Sequence, residues 1–230
     1  MVSQSWDTPR SVSLMVAPRL AKRRGFATDV AVSALRMRVT DRDAPLGSHP
    51  GNPVHLSAPL DTVLTLELDG AAFALGVAAD ELLLAALGRA LARTMGEGVG
   101  AVDVVGDGRS VPALVDLHCV GEAELDATEM VLMAHHALTD VSTGRLAGFI
   151  GGHAPTADVF FNYVGTTPAR GTEPPLLGHA LEIRAYRDRG VMQVDWWFDS
   201  QRFDGATVQE LAEQFPLALI ALTSEATPWA

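Results

Sequence analysis

The sequence contains one cysteine, Cys119, among its 230 residues. A single cysteine cannot form an intrachain disulfide, and it excludes zinc sites that need several cysteine ligands. A reducing cytoplasmic location is therefore expected. Because His118, His153 and His179 share no metal-ligand spacing with one another or with a carboxylate cluster, no metal is expected either.

The sequence also lacks a long hydrophobic run. The most apolar uncharged stretch, from Gln214 to Ser224, is about half of the ~20 residues that a membrane-spanning helix needs. Asp7 and Pro9 lie where a signal peptide would be apolar. We expect neither a membrane span nor an export signal.

Positive charge is scarce outside the first 42 residues. The net charge is −11, but residues 1–42 carry +5 and the remainder −16. An acidic body repels phosphate backbones, so nucleic-acid binding is not expected. The run formed by Lys22, Arg23 and Arg24 is either a solvated basic loop or a docking site for an acidic partner. No Gly-rich phosphate loop, nucleophile elbow or paired-carboxylate motif appears.

Residues 80–110 predict one helix, one buried strand and one glycine turn. Asp80 is a candidate N-cap, apolar residues recur at helical spacings after it, and Gly96 ends the helix. The predicted strand runs from Val99 to Val105, and Gly106-Asp107-Gly108-Arg109 forms the turn.

The predicted domain organisation has three parts. Residues 1–44 form a basic N-terminal extension, in which Val30–Val39 predicts an edge strand. Residues 45–59, rich in Pro, Gly, Ser and His, form a linker. Residues 60–230 form the folded body.

Within this body the pattern alternates between strands and helices. Asp126 and Glu129 have the spacing of a capping box, and Pro216 is expected to kink the last helix without ending it, since the apolar stripe continues in phase. The predicted elements are a half-buried strand over Thr62–Leu68, a helix over residues 126–143, a strand at Asp158–Gly165, a hairpin of Leu181–Tyr186 and Val191–Phe198, and a last helix capped by Asp204 or Thr207.

Two motifs, in order, resemble the condensation and epimerization domains of nonribosomal peptide synthetases. The helix LLLAALGRALAR (Leu82–Arg93) followed by VDVVGDGRS resembles the helix and Gly-His-Gly-Arg turn of that family, and DVFFNYVG (Asp158–Gly165) resembles its FNYLG strand. The resemblance covers roughly residues 45–225, the C-terminal half of such a domain. It implies an α/β (α+β) fold: a single chloramphenicol-acetyltransferase-like lobe with a mixed sheet flanked by helices.

The resemblance also implies a site. Asn162 and Tyr163 match the family motif on a strand near the tunnel for the phosphopantetheine-carried substrate, although a structural role is equally compatible with them. The turn residues Gly106, Asp107, Gly108 and Arg109 either contact the substrate or have a structural role. For Arg109 the structural role is favoured, as a salt bridge that locks the turn. Val105 replaces the glutamate proposed as the acid/base of epimerization domains, and a valine carries no proton. Epimerization by the family mechanism is not expected.

His135, His136 and Asp140 resemble the HHxxxDG signature, in which the second histidine acts as the base. In the family this signature precedes the Leu/Ala helix and the glycine turn, whereas here it follows both, and Val141 replaces the final glycine. At 100° per residue both histidines lie off the apolar stripe of their helix. We expect a surface helix and no catalytic residue.

The leading hypothesis is a C-terminal lobe of a condensation-type domain. It would bind a carrier protein or an N-terminal condensation lobe and would not be catalytic alone. No cofactor is expected to bind directly; phosphopantetheine would arrive on a carrier protein. The alternative is a stand-alone acyltransferase that uses His136 and a coenzyme A or carrier thioester, built as a homodimer in which two lobes face each other.

Overall fold

The computed structural model describes residues 36–43, 53–106, 112–142, 157–165 and 178–229. These residues form six strands and four helices. In chain order the elements are β1 (Pro53–Ser57), α1 (Thr62–Leu75), α2 (Ala79–Met95), β2 (Gly98–Val105), β3 (Ala113–Cys119), α3 (Ala127–Ser142), β4 (Val159–Gly165), β5 (Leu181–Asp188), β6 (Val191–Asp199) and α4 (Gly205–Glu225).

The described strands form one mixed sheet in the order β1-β6-β5-β4-β2-β3. Strands β2, β4 and β5 are parallel neighbours, and the other pairs are antiparallel. Side chains alternate between the two faces of a strand. One face, the core face, therefore carries the apolar row Val102, Val159, Leu181 and Phe198, which the strand register aligns.

The buried side chains of all four described helices belong to the same core as this row. Helix α2 is the central one, and every residue from Leu82 to Leu91 is buried. Gly88 lets α2 approach β3, because a Cβ atom at this position would lie 2.4 Å from the His118 carbonyl oxygen. The fold class expected from the sequence, a mixed sheet flanked by helices, is confirmed.

The strand predicted over Thr62–Leu68 is wrong, because this segment is the first half of α1. Asp61 caps the helix by accepting a hydrogen bond from the Leu64 amide at 2.7 Å, and Gly76 ends it in the left-handed conformation with φ 70°. Leu64 and Leu68 are buried while Leu66 is exposed. The leucines thus follow the four-residue spacing of a helix, and the apparent alternation was misleading.

The N-cap of α2 also differs from the prediction. Ala78, and not Asp80, precedes the helix, and its amide donates to the carboxylate of Glu81 at 3.2 Å. Asp80 lies inside the first turn and is buried, with its carboxylate against Gly106. The C-terminus at Gly96 is confirmed.

The folded body begins earlier in the chain than residue 60. Strand β1 lies within the segment that composition marked as a linker, and it pairs with β6. Residues 36–43, assigned to the extension, also pack against the body: Val39 is buried, the Met37 amide donates to the Val99 carbonyl, and the Asp41 amide donates to the Arg202 carbonyl. Of the edge strand predicted at Val30–Val39, the described part makes a single parallel bridge.

Downstream predictions agree better with the structure. Asp126 and Glu129 form the expected reciprocal capping box, with amide–carboxylate distances of 2.8 and 2.9 Å. The FNY-containing strand and the hairpin are present as β4, β5 and β6. Helix α4 continues through Pro216, and its predicted buried stripe is confirmed.

Candidate functional site

The sheet face opposite the core carries polar and aromatic side chains. We call this the polar face and define it by nine residues from five strands: His55, Asp103, Phe160, Asn162, Glu182, Arg184, Tyr186, Asp195 and Trp197. The strand register arranges most of them in two rows. One row is His55, Trp197, Glu182, Phe160 and Asp103, and the other is Ser57, Asp195, Arg184, Asn162 and Val105.

A buried carboxylate–imidazole pair occupies one side of the polar face. The Nε2 atom of His179, just before β5, lies 2.9 Å from the Asp103 carboxylate, which also accepts a hydrogen bond from the Ala157 amide at 3.2 Å. Phe160 stacks on the imidazole, with ring centroids 4.9 Å apart. The second ring nitrogen, Nδ1, is buried and has no hydrogen-bond partner among the described residues. Because an unpaired buried polar atom is costly, a polar group from outside the described residues would be stabilised there.

The other side of the polar face is a charged network on β1, β5 and β6. Arg184 pairs with Glu182 at 2.5 Å, and its guanidinium lies 5.8 Å from the centroid of the Trp197 ring system. His55 stacks on the same indole at 4.3 Å and places Nε2 3.3 Å from the Asp195 carboxylate. These contacts fix the Arg184 guanidinium and the His55 imidazole against one aromatic ring.

Tyr186 completes this network. Its hydroxyl donates to Asp195 at 2.8 Å. Burial, and then the hydrogen bond to a carboxylate, raise the pKa of Tyr186 to about 12. The phenol is therefore a neutral hydrogen-bond donor at physiological pH.

The motif residues singled out by sequence meet at one end of this face. Val105 pairs with Asn162, and Asn162 pairs with Arg184, so the carboxyl end of β2 lies beside the middle of β4, which in turn lies beside the middle of β5. In open sheets, ligands bind outside the carboxyl ends of parallel strands. Gly106 follows directly, and a Cβ atom there would lie 2.5 Å from the Asp80 carboxylate. Asp107, Gly108 and Arg109 lie outside the described residues.

Tyr163 points away from this site. It follows Asn162 on β4 and packs against the hydrophobic core from its edge. Only Asn162 of the two matched residues is therefore placed to contact a ligand on the polar face.

Solved structures share this fold. The chain superposes on the epimerization domain from the third module of tyrocidine synthetase B with a TM-score of 0.61 and 18% identity, covering 84% of this chain and 53% of that one. The first condensation domain of the CDA synthetase gives a TM-score of 0.53 at 21% identity, over 79% of this chain and 48% of that one. The chain has the condensation-domain fold.

Another condensation domain of this fold comes from a structure describing chain release from the enacyloxin polyketide synthase. Its TM-score is 0.56 at 18% identity, covering 79% of this chain and 43% of that one. No family model matches the chain.

Sequence relatives point to polyketide synthases. The chain is 34% identical, over 236 aligned positions and 80% of its length, to one of the subunits that make up the phenolphthiocerol/phthiocerol polyketide synthase of Mycobacterium tuberculosis. The same protein from Mycobacterium bovis gives the same identity. The chain spans about a sixth of the length of these relatives, 16%.

In this condensation-type fold, the histidines of the HHxxxD-like sequence lie on helix α3. His135 places Nδ1 3.1 Å from the Glu81 carboxylate at the start of α2, and its ring lies 5.9 Å from that of Trp229. His136 is exposed. Asp140 also belongs to α3, but its side chain is not among the described parts of the structure. Helical structure here is what the surface-helix interpretation predicted.

The basic residues of the front segment are partly used within the chain. Arg36 pairs with Asp116 at 3.1 Å, Arg38 with Asp43, and Arg42 with Asp204. These three guanidinium groups therefore serve local ion pairs. Lys22, Arg23 and Arg24, the predicted docking residues, lie outside the described residues.

Three further observations concern general chemistry. Burial raises the pKa of the Cys119 thiol to about 12, so the thiol stays protonated. Within the described ranges, no group of three or more histidine, cysteine or acidic side chains is placed to hold a metal ion. None of the described helices alone has the length and apolar character of a membrane span; α1 and α2 pass that test only jointly, and they meet at 111°.

Sequence reasoning missed most of the polar face. The signal was present in the hairpin, where Glu182, Arg184 and Tyr186 alternate with buried apolar residues on β5, and Asp195 does so on β6. Ionisable residues at every second position of a largely buried strand indicate a second, polar surface. His55 could not be found in this way, because its strand was assigned to a linker.

Proposed function

We propose that this chain is the C-terminal lobe of a condensation-type domain and works by binding. Its partners would be an N-terminal condensation lobe and a carrier protein that delivers a phosphopantetheine-bound chain. The polar face, with Asn162 at its open end, would line the shared channel.

The observation that carries this proposal is the extent of the structural match. More than three quarters of the chain superposes on condensation and epimerization domains, yet it accounts for only 53% and 48% of the two compared above. A chain equal to half of a domain needs a second half to complete the fold. The position of the HHxxxD-like residues on a helix, with His135 bound to Glu81, further supports a binding role over an acyltransferase that uses His136.

The polar face supports the same proposal. The core face is covered by the four described helices, while the opposite face gathers charged, hydrogen-bonding and aromatic groups. These include the Nδ1 atom of His179, which has no partner within the described part of the chain. Desolvated polar networks of this kind give specificity to an interface or a channel.

The carried chain would be an acyl chain of the polyketide type. This follows from the relative, which belongs to a polyketide synthase, and from the solved condensation domain that acts in chain release from a polyketide synthase. The wider family acts in nonribosomal peptide synthesis, so a peptidyl chain is the competing cargo.

Affinity purification from the native host tests partner binding. Tagged wild-type chain should copurify a polypeptide that contains a condensation N-terminal lobe or a carrier protein, identified by mass spectrometry. Asn162→Ala should reduce this capture, whereas Gln209→Ala, a matched amide-to-alanine change on the exposed side of α4, should not. Equal capture by both variants would refute a role for the polar face.

Salt dependence tests carrier docking. Affinity for a purified holo-carrier protein should fall as salt rises and after charge reversal at Arg23 and Arg24. Arg189→Glu, in the exposed β5–β6 turn, is the matched control. If neither added salt nor charge reversal at Arg23 and Arg24 changed the affinity, docking through the basic segment would be contradicted.

A further inference from the structure

One row of the polar face changes from charged to apolar across the sheet. The strand register places Asp195, Arg184, Asn162 and Val105 side by side, on β6, β5, β4 and β2 in turn, and we call these four residues the Asn162 row. Only 3% of the Asp195 side chain is exposed, whereas Asn162 and Val105 are half-buried. The accessible end of the row is therefore the end that holds Asn162 and Val105.

Arg184 is held in place within this row. Its Nε–H group donates to the Glu182 carboxylate at 2.5 Å, and its guanidinium lies 5.8 Å from the centroid of the Trp197 ring. A guanidinium carries five N–H donors, of which Nε–H is one. Hydrogen bonds from a charged donor are stronger than neutral ones, and a side chain that is already fixed loses little freedom in forming them. Arg184 is thus suited to bind an oxygen atom of a ligand beside Asn162.

The charges around Arg184 disfavour an anionic ligand. Two buried carboxylates, Glu182 and Asp195, lie next to the guanidinium, and in the described part of this face the other basic group beside them is the His55 imidazole. A carboxylate ligand would enter next to two like charges, whereas an uncharged oxygen would accept a hydrogen bond from Arg184 without that repulsion. The row therefore favours a neutral oxygen acceptor.

Asn162 and Val105 fit the thioester end of an acyl chain. The side-chain amide of Asn162 forms no hydrogen bond with another described residue, and its N–H groups can donate to a thioester carbonyl. Val105 offers an apolar surface to the thioester sulfur and the methylene groups beside it. Because neighbouring strands lie about 4.8 Å apart, Asn162 and Arg184 can bind two oxygens that are close together in one chain.

We infer that the Asn162 row selects a carried acyl chain with an uncharged oxygen on the carbon β to its thioester, as in a polyketide chain that is not fully reduced. Asn162 would bind the thioester carbonyl, which all acyl chains share, and Arg184 the second oxygen. A saturated chain offers Arg184 no acceptor, and a carboxylated chain meets Glu182 and Asp195. This inference rests on the proposed function, because it takes the polar face to line the channel.

Three pantetheine thioesters test the inference by titration of the full chain, followed by NMR. Acetoacetyl-pantetheine adds the β-oxygen to butyryl-pantetheine, and malonyl-pantetheine carries a carboxylate where acetoacetyl has a methyl ketone. The wild type should bind the acetoacetyl probe at least about 10-fold more tightly than the butyryl probe, as expected of one hydrogen bond from a charged donor. The malonyl probe should bind at least about 3-fold more weakly than the acetoacetyl probe because of like-charge repulsion.

Removing the ion pair as a unit tests the role of Arg184. Arg184→Met combined with Glu182→Gln leaves no buried carboxylate without its partner, so folding is protected. This variant should bring the acetoacetyl-to-butyryl affinity ratio to about 1 while the affinity for the butyryl probe is kept. Arg187→Met combined with Asp69→Asn is the matched control, because it removes an ion pair from the helix side of the same strand. The control should keep the ratio of the wild type.

Four results would overturn the inference. They are equal affinity of the wild type for the acetoacetyl and butyryl probes, a ratio that survives loss of the Arg184–Glu182 pair, tighter binding of the malonyl probe, and no binding of any probe at roughly 10 mM. Partner capture that depends on Asn162 would stand in each case. Failure of the proposed function would appear instead as equal capture by Asn162→Ala and Gln209→Ala, so the two failures are distinct.

Discussion

The two faces of the sheet have different stabilising interactions. The core face buries aliphatic and aromatic side chains against four helices. One apolar residue can replace another there at small cost if the side-chain volume is kept. The polar face instead holds ionisable groups whose positions depend on specific partners, such as Asp103 with His179 and Asp195 with His55 and Tyr186.

Adjacent residues on β4 show what this difference means. Phe161 is fully buried in the core, and Asn162, the next residue, lies half-buried on the polar face. One strand thus contributes to stability through one face and to recognition through the other. Substitutions on the two faces should therefore separate stability from binding.

The largest expected effect is on the core face. Phe161→Ala should lower the free energy of unfolding by about 3–5 kcal/mol, because it removes a buried ring and leaves a cavity. Chemical denaturation would measure this loss. Phe161→Leu should cost less, since more of the volume is retained. If the alanine variant lost less than the Asp103→Ala variant described next, the contrast between the faces would fail.

Asp103→Ala probes the buried pair of the polar face. Removing the carboxylate leaves the His179 Nε2 atom without its partner and should lower the free energy of unfolding by about 1–3 kcal/mol. Asp103→Asn keeps an acceptor oxygen and should cost less. An alanine variant as stable as the wild type would show that the pair contributes nothing to folding.

Tyr186 gives the polar face a pH dependence in the alkaline range. Its pKa is about 12 in the folded chain and 10.0 ordinarily, so the neutral phenol is favoured by folding. This contribution is complete below pH 10 and is lost as the pH rises from 10 towards 12. Thermal unfolding of the wild type and of Tyr186→Phe across this range would measure it.

The wild type and Tyr186→Phe are compared by the stability that each loses between pH 10 and 12. The Cys119 thiol has a pKa raised from 9.0 to about 12, so its contribution is lost from pH 9 towards 12, but this happens equally in both proteins. Identical alkaline destabilisation of the wild type and Tyr186→Phe would contradict the raised pKa of Tyr186, which burial causes first and the hydrogen bond to Asp195 second.

The smallest expected effect on stability is at Asn162. Asn162→Ala should change the free energy of unfolding by no more than about 0.5 kcal/mol, as for substitutions outside the core. The same denaturation measurement as for Phe161→Ala gives a direct comparison of neighbours on one strand. A loss comparable to that of Phe161→Ala would assign Asn162 a structural role and remove it from the proposed channel.

Local patterns predicted several elements well. The capping box at Asp126 and Glu129, the stripe of α4 and the hairpin around Arg189 each depend on residues close in sequence. The α1 helix was missed because three leucines at every second position imitate a strand, and Asp61 was not recognised as a cap. Strand β1 was missed because its composition is that of a loop, and pairing with β6 overrides this local tendency.

The candidate site was predictable only in part. Asn162 and Gly106 were found through motif resemblance, and the structure places Asn162 beside Val105, the last residue of β2 before Gly106. The carboxylate–imidazole pairs join residues far apart in the chain: His55 to Asp195, and Asp103 to His179. No spacing in the sequence encodes such pairs.

By itself the sequence determined the apolar periodicities, the caps and the two ordered motifs, and through them the condensation-type fold. Only the tertiary structure decided which strands are neighbours, and with them the composition of the polar face. The physical reason is that helix signals arise from neighbours three and four residues apart, whereas a sheet face is assembled by hydrogen bonds between strands that are distant in the chain.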